Sequence, residues 1–254
     1  KTAAIDALIE KKQKLLELLA EKRTALINRA VTKGLDPDVP MKDSGVPWIG
    51  EIPAHWEVAP VYSFAAVQLG KMLDSSRQTG QDSAPYLRNA NVQWDGIATD
   101  DLNRMDFSRS DRLKYQLKSG DILMCEGGVV GRSAIWRGQV DGVLYQKALH
   151  RVRTNRRALP EFFIQSIRAA FDQGVFLEEA SATISHLTAE RLRVLRFPRP
   201  PIPEQASIAA HLGLALETSV GASQRMADQI DRLREYRQAL ITAAVTGQID
   251  VEAA

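Results

Sequence analysis

The segment RNANVQW concentrates side chains that can read the edges of base pairs in duplex DNA. It carries Arg88, Asn89, Asn91, Gln93 and Trp94. An arginine can donate two hydrogen bonds to guanine, and an asparagine or glutamine can pair with adenine in the same two-point manner. Asn89 and Asn91 are equally well suited to capping turns. The residue types therefore predict either base contacts or turn caps in this segment.

A basic run lies further along the chain. No acidic residue occurs in KALHRVRTNRR, and the LHRVR within it alternates as a half-exposed strand does. Cations in such a run either contact phosphates or face solvent. The run supplies five candidate phosphate contacts, which are Lys147, Arg151, Arg153, Arg156 and Arg157. Lys71, Arg77 and Lys114 lie in loop-like stretches and are further candidates of the same kind.

The glycine-rich stretch GGVVGR places Arg132 beside backbone that a phosphate could approach closely. A plain hairpin turn is an equally good interpretation of the same stretch. It lacks the lysine and the spacing of an ATP-binding phosphate loop, and the chain contains no methyltransferase tetrapeptide and no zinc-ligand spacing. His186 is interpreted as a packing or turn residue and Cys125 as a buried small hydrophobe. We therefore expect no catalytic residue, no metal site and no cofactor.

Composition sets the class of protein. The 254 residues carry a formal net charge of +2 and 44% hydrophobic side chains, as an ordinary globular protein does. No stretch approaches the roughly 18 apolar residues of a membrane span. One cysteine cannot form an internal disulfide, so we expect the reducing cytoplasm as its location. The chain begins with Lys1 rather than Met, and we expect it to be cut from a longer chain.

Two long helical patterns bracket a different middle region. Apolar residues recur at three- and four-residue steps over 4–31, and again from about Pro203 to Gly247, with Gly221 as a predicted break. Residues 21–36 and 235–250 are identical at nine of sixteen positions, so one repeat unit has been used twice. The region between the helices carries short β-like runs, turn signals and two short helical patterns. It is predicted to be a mixed α+β domain.

Several strings resemble the specificity (S) subunit of type I restriction–modification systems. They are KRTALINRAVTKGLDPDVPMKDSGVPWIGEIPAHWEV, YLRNANVQWDGI, GDILMCEGGVVGRSAIW, ATISHLTAERLRVLRFPRPPIPEQASIAAHL and REYRQALITAAVTGQIDV. The resemblance implies a first conserved spacer helix at 1–40, a target-recognition domain at 41–200 and a second conserved spacer helix at 201–254. It also implies an α+β fold in which the mixed domain is inserted between two long helices that pair as an antiparallel coiled coil.

The same resemblance implies partners and a role. A specificity subunit reads one half of a split target in double-stranded DNA, docks methyltransferase (M) and restriction (R) subunits, and catalyses nothing itself. The first recognition domain of the full pattern is absent, so the chain is expected to be a fragment or a half-length subunit that self-associates. The alternative is a coiled-coil scaffold or decoy that binds M subunits without reading DNA. The residues that read bases do not transfer from the family, so the choices above depend on residue chemistry alone.

Overall fold

The computed structural model describes residues 2–73, 80–178 and 186–248. The chain divides into two compact units, one formed by Lys1–Leu26 with His211–Ala254 and the other by Ile27–Ala210. The helices of the described residues are α1 (Thr2–Lys33), α2 (Arg109–Lys114), α3 (Pro160–Asp172), α4 (Val175–Glu178), α5 (Ala189–Val194) and α6 (Ile202–Val245).

The first unit contains most of α1 and α6, and α1 has the side-chain spacing of a coiled coil. Its half-buried residues recur at alternating steps of four and three, at Ile5, Ile9, Lys12, Leu16 and Leu19. An average step of 3.5 residues keeps one narrow stripe facing a partner helix along its whole length. The sequence pattern alone predicted the apolar members of this stripe.

Two polar contacts define how the helices of this unit pair. The Arg237 Nε atom lies 2.5 Å from Asp6 Oδ1, and Lys12 Nζ donates to Gln229 Oε1 at 2.6 Å. A later residue of α1 therefore meets an earlier residue of α6, which means that the helices run antiparallel. The predicted antiparallel pairing is confirmed.

The prediction of a break at Gly221 is wrong. Helix α6 continues through this residue for 44 residues, a length of about 66 Å. A glycine inside a helix costs only about 1 kcal/mol relative to alanine, and the helix-favouring stretches LALE before it and QRMA after it continue the helix.

The second unit is built on strands. Those of the described residues are β1 (Met41–Asp43), β2 (Glu51–Pro53), β3 (Glu57–Pro60), β4 (Ala65–Leu69), β5 (Ser83–Leu87), β6 (Val92–Gln93), β7 (Gly96–Ile97), β8 (Asn103–Asp106), β9 (Ile122–Cys125), β10 (Ser133–Ile135), β11 (Leu144–Tyr145), β12 (Leu149–Thr154) and β13 (Arg196–Arg199). A four-stranded antiparallel sheet has the order β10-β9-β12-β4, and a three-stranded sheet has the order β11-β5-β8. The pairs β1-β2, β3-β13 and β6-β7 complete the unit.

Strand β9 is buried on both faces and divides the core in two. Ile122 and Met124 belong to a hydrophobic cluster that includes Phe163 of α3, whereas Cys125 and Leu123 belong to a second cluster with the strands of the three-stranded sheet. Successive side chains of a strand point to opposite faces, which explains this alternation. A strand covered on both sides reads as a continuous apolar run, here ILMC.

Strand β12 is central in the four-stranded sheet, between β9 and β4. Arg151 and Arg153 share one face of it with Leu149, which packs in the second cluster. These two arginines therefore lie at the edge of the second cluster and are half-buried. Whether they can reach a ligand depends on the hydrogen bonds that they make within the protein.

Candidate nucleic-acid interface

Asn91 is the predicted base-reading residue that the fold removes from the surface. Its side chain is 3% exposed, and its Oδ1 accepts a hydrogen bond from the Arg88 backbone N–H at 2.9 Å. Its Nδ2 donates to the carbonyls of Ala98 and Asp101 at 3.2 and 3.0 Å. The prediction that Asn91 contacts a base is therefore corrected: its amide is used to cap a 3-10 turn over Asn89–Asn91.

This turn also interrupts what would otherwise be one continuous strand over 86–92. Strand β5 ends at Leu87, and pairing resumes only at Val92. An asparagine whose own amide binds nearby backbone stabilises a turn at the expense of a strand. The alternative that the sequence left open, turn capping, is what the structure shows for Asn91.

The other polar residues of this segment are engaged to different degrees. Arg88 pairs with Asp101 through Nη2 and Oδ2 at 2.8 Å, and Asn89 Nδ2 donates to the Gly127 carbonyl at 3.0 Å. Gln93 is exposed, and its Nε2 donates to the carbonyl of Ala90, three residues earlier, at 3.0 Å. Gln93 is thus the amide of this segment best placed to meet a ligand.

Trp94 is half-buried and already has partners on its ring. It packs edge-on against Phe171 at 5.0 Å between ring centroids, and the Arg168 guanidinium lies 4.5 Å from the indole centroid. A ring that already contacts both of these groups has less surface to offer a base.

The glycine-rich stretch forms a tight internal turn. Gly127 has no room for a side chain, because an added Cβ would lie 2.8 Å from the His186 ring. Arg132 Nη2 donates to the Asn89 carbonyl at 2.9 Å, and the backbone N–H of Cys125 donates to the Arg132 carbonyl. The hairpin interpretation describes this stretch, and Arg132 joins it to the turn at Asn89.

The cations of the basic run are of two kinds: some are hydrogen-bonded within the protein, and the others are exposed to solvent. Arg151 Nη1 donates to the carbonyls of Lys114 and Gln116 at 3.1 and 2.9 Å. Arg153 holds the carboxylate of Asp121 through Nε and Nη2, both at 2.6 Å, and Nη2 also donates to the Gln116 carbonyl. Hydrogen bonding to Asp121 raises the pKa of Arg153. The two central arginines of the run thus hold protein backbone and a carboxylate.

The remaining members of the run are exposed. Lys147, Arg156 and Arg157 present their side chains to solvent. Among the described residues, neither Lys147 nor Arg156 has a hydrogen-bonded or ion-paired side-chain partner. A cation without an internal partner can neutralise a phosphate at no cost in protein contacts. These three residues stay our candidate phosphate contacts.

Of the loop candidates, Lys71 is engaged inside the protein. Its Nζ donates to the Asp106 carbonyl and to Asp111 Oδ2, both at 2.7 Å, and lies 5.0 Å from the Phe107 ring centroid. Burial acts to raise the pKa of Asp111, but hydrogen bonds from Lys71 and Ser108 outweigh it and hold that pKa below its usual range. Arg77 lies outside the described residues.

Sequence reasoning passed over three exposed cations near Lys114. Arg109 and Arg112 lie in α2 and Lys118 lies in the loop after it, and all three face solvent. The signal was present in the sequence, because RSDRLKYQLK contains four cations and one carboxylate. The signal is weaker than in KALHRVRTNRR, because Asp111 interrupts the basic residues.

His150 is the buried titratable group of this region. It is fully buried, its Nε2 lies 2.7 Å from the Leu187 carbonyl, and burial lowers the pKa of its imidazole. Glu126 and Glu190 partly oppose that shift, and Arg193 adds to it.

The lowered pKa of His150 predicts acid sensitivity. At a pH above 6.5, the ordinary pKa of histidine, the ring is neutral in both the folded and the unfolded chain. As the pH falls below 6.5, the imidazole is protonated in the unfolded chain but stays neutral in the folded chain. The free energy of unfolding therefore decreases, by up to about 1.4 kcal/mol per pH unit. Urea unfolding between about pH 7.5 and about pH 5.5 measures this loss. His150→Gln, which keeps a donor for Leu187, should flatten the profile; an unchanged profile would assign the effect to another group.

Neither a metal centre nor a membrane span is found in the part of the chain that the structure describes. Residues 2–73, 80–178 and 186–248 contain no group of three or more His, Cys, Asp and Glu side chains arranged to hold a metal ion. Within the same ranges, no helix combines the length and the apolar character needed to cross a bilayer. Cys125 is buried, as predicted, and burial raises the pKa of its thiol.

Comparison with known proteins gives a consistent relationship. No protein-family model matches the chain. In sequence it is similar to the type I restriction enzyme MjaVIII specificity subunit of Methanocaldococcus jannaschii, with 23% identity over 261 aligned residues. The alignment covers 97% of this chain and 58% of that subunit.

In fold the chain is similar to two solved structures. One is a chain from a structure that describes complex assembly and conformational transition of the type I R-M system, with a TM-score of 0.65, 17% identity and coverage of 95% of this chain and 57% of that one. The other is the HsdS subunit from Thermoanaerobacter tengcongensis, with a TM-score of 0.58, 15% identity and coverage of 97% and 57%. This chain spans less than three fifths of the length of these relatives. The likenesses confirm the predicted resemblance and the mixed helix-and-sheet fold.

Proposed function

We propose that this chain, similar to type I specificity subunits in sequence and in fold, recognises a DNA sequence within a type I restriction–modification complex. It reads one half of a split target in duplex DNA and docks methyltransferase and restriction subunits, which supply the chemistry. The observation that carries this proposal is the fold likeness, which extends over at least 95% of the chain and so includes both long helices and the domain between them.

The geometry of the helical unit suits a spacer. Antiparallel contacts at Asp6–Arg237 and Lys12–Gln229 hold two helices together side by side. A paired rod has a defined length, so it can set the distance between two recognition elements on a duplex. The second element belongs either to another part of a longer chain or to a second copy of this chain, and only in the second case does the chain self-associate.

The surface of the second unit suits a polyanion. Lys147, Arg156 and Arg157 are exposed cations, and Gln93 is an exposed amide. Cations bind phosphates without regard to sequence, whereas amides discriminate between base edges. We assign the first three to the DNA backbone and Gln93 to base contact. The chain itself catalyses nothing. It works in the cytoplasm, with duplex DNA as its target.

The decisive experiment measures DNA binding by the chain with its methyltransferase subunits. Mapping of methylated sites first identifies the split target, and titrations then compare a target duplex with a scrambled one. We expect the target to bind at least about 1,000-fold more tightly at physiological salt. Equal affinities would contradict sequence recognition and favour the alternative, a scaffold or decoy that binds M without reading DNA.

Within the same assay, Arg156→Ala separates backbone contact from base reading. Loss of one phosphate contact should weaken binding to both duplexes alike and reduce the salt dependence, the slope of log K against log salt, by about 0.9. Lys42→Ala, which removes an exposed cation from β1, is the matched control and should leave the slope unchanged. If the two variants behave identically, Arg156 is not a DNA contact.

A further inference from the structure

The short helix α2 and the loop that follows it form a strongly cationic segment, residues 109–118, which we call the α2 segment. Four of its ten residues are cations: Arg109, Arg112, Lys114 and Lys118, all exposed. Its one carboxylate, Asp111, is already neutralised by Lys71, whose Nζ lies 2.7 Å from Oδ2. The segment therefore presents positive charge to solvent, and it has no further carboxylate of its own to balance that charge.

Hydrogen bonds to strand β12 and to Asp121 hold the α2 segment in place. Arg151 and Arg153 of β12 together donate to the carbonyls of Lys114 and Gln116. The carboxylate of Asp121 accepts the Lys118 backbone N–H at 2.7 Å while it binds Arg153. Carbonyls after the last turn of a helix have no partner within the helix, and the arginines supply one. A loop fixed in this way has little conformational entropy left to lose on binding.

A concave surface lies beside the cations. Arg112, Leu113, Gln116 and Ser119 line a cavity of about 380 Å³ whose other wall comes from residues 136–144. Leu113 itself is 76% exposed. Of the segment's four cations, Arg112 lines this cavity, and the opposite wall carries the exposed carboxylate of Asp141.

We propose that the α2 segment contacts the phosphate backbone of duplex DNA, with Arg109, Lys114 and Lys118 as phosphate contacts and with Arg151 and Arg153 as positioning residues. This inference rests on the proposed function. It reassigns the two arginines from contacts to supports, because their donors are directed at Lys114, Gln116 and Asp121.

The first test removes charge from the segment. In the complex with methyltransferase subunits, Arg109→Gln, Lys114→Gln and Lys118→Gln are combined, and affinity for duplex DNA is measured against salt concentration. The slope of log K against log salt should become shallower by about 2 to 3, and affinity should fall by about tenfold or more. A control with the same change in net charge combines Lys11→Gln, Lys22→Gln and Lys42→Gln, all at exposed positions, and should keep the slope.

The second test separates positioning from contact. Arg151→Lys keeps the charge but loses the two-carbonyl fork, so we expect a fall in affinity of about threefold to tenfold in the wild-type background and no further fall in the triple variant. A direct phosphate contact would give the opposite result: Arg151→Lys without effect, and Arg151→Gln adding fully to the triple variant. Urea unfolding of each variant confirms that the chain is folded.

The outcomes distinguish the two proposals. If the wild-type complex does not bind DNA, the proposed function fails and this inference fails with it. If the wild-type complex binds but the triple variant and its charge-matched control have the same slope, the α2 segment is not a DNA contact, and the proposed function stands.

Discussion

Replacing Asp121 by asparagine is expected to lower the free energy of unfolding by about 3 kcal/mol. The carboxylate is 1% exposed and binds Arg153 through two contacts of 2.6 Å. It also accepts the Lys118 backbone N–H. An amide of the same shape keeps only one acceptor, so the Arg153 charge loses its counterion in a setting where its side chain is only 32% exposed.

Urea unfolding measures this effect as a shift in midpoint at constant slope. Asp141→Asn is the matched control, because Asp141 is exposed and its substitution should change stability by less than about 0.5 kcal/mol. Equal stabilities of the two variants would show that the Arg153–Asp121 pair contributes nothing to folding.

The repeated sequence provides the second large effect. Val31 and Val245 occupy the same position of the repeat, yet Val31 is fully buried and Val245 is 82% exposed. Val31→Asp places a carboxylate among apolar groups and should cost more than about 4 kcal/mol, enough to unfold a domain of marginal stability. Val245→Asp meets solvent and should change stability by less than about 0.5 kcal/mol.

Where Val31→Asp fails to fold, the smaller change remains measurable. Val31→Ala should cost about 2 to 3 kcal/mol, because it deletes two buried methyl groups and leaves a cavity. Val245→Ala should be neutral, since alanine is the better helix former at an exposed position. Similar losses for the two alanine variants would mean that both copies of the repeat are covered in solution.

The helices and the general class of the inserted domain could be predicted from the sequence. Side-chain periodicity is a local property, so the stripe through Ile5, Ile9 and Leu16 was visible without coordinates. The apolar run ILMC of β9 was visible as well, because a row of consecutive apolar residues is also a local feature of the sequence. The continuity of α6 was missed because Gly221 was taken as a break, although the helical pattern continues on both sides of it.

The candidate site could be predicted only in part, because the partner of a polar side chain comes from distant sequence. Arg151 and Arg156 belong to the same basic run, but Arg151 meets carbonyls 35 and 37 residues away while Arg156 meets solvent. Nothing in the local pattern separates them. Asn91 likewise looked like a reader of bases until the turn over Asn89–Asn91 buried its amide.

The repeated segment shows the difference between what local sequence determines and what distant contacts determine. Thr32 and Thr246 each donate a hydroxyl hydrogen bond to the carbonyl four residues earlier, at 2.7 and 2.8 Å, so the same residues build the same helix end twice. Yet Thr32 is buried and Thr246 is exposed. Backbone conformation follows from nearby residues, through propensity and hydrogen bonds within a few positions. Burial depends on which distant surface packs against them, and only the assembled chain determines that.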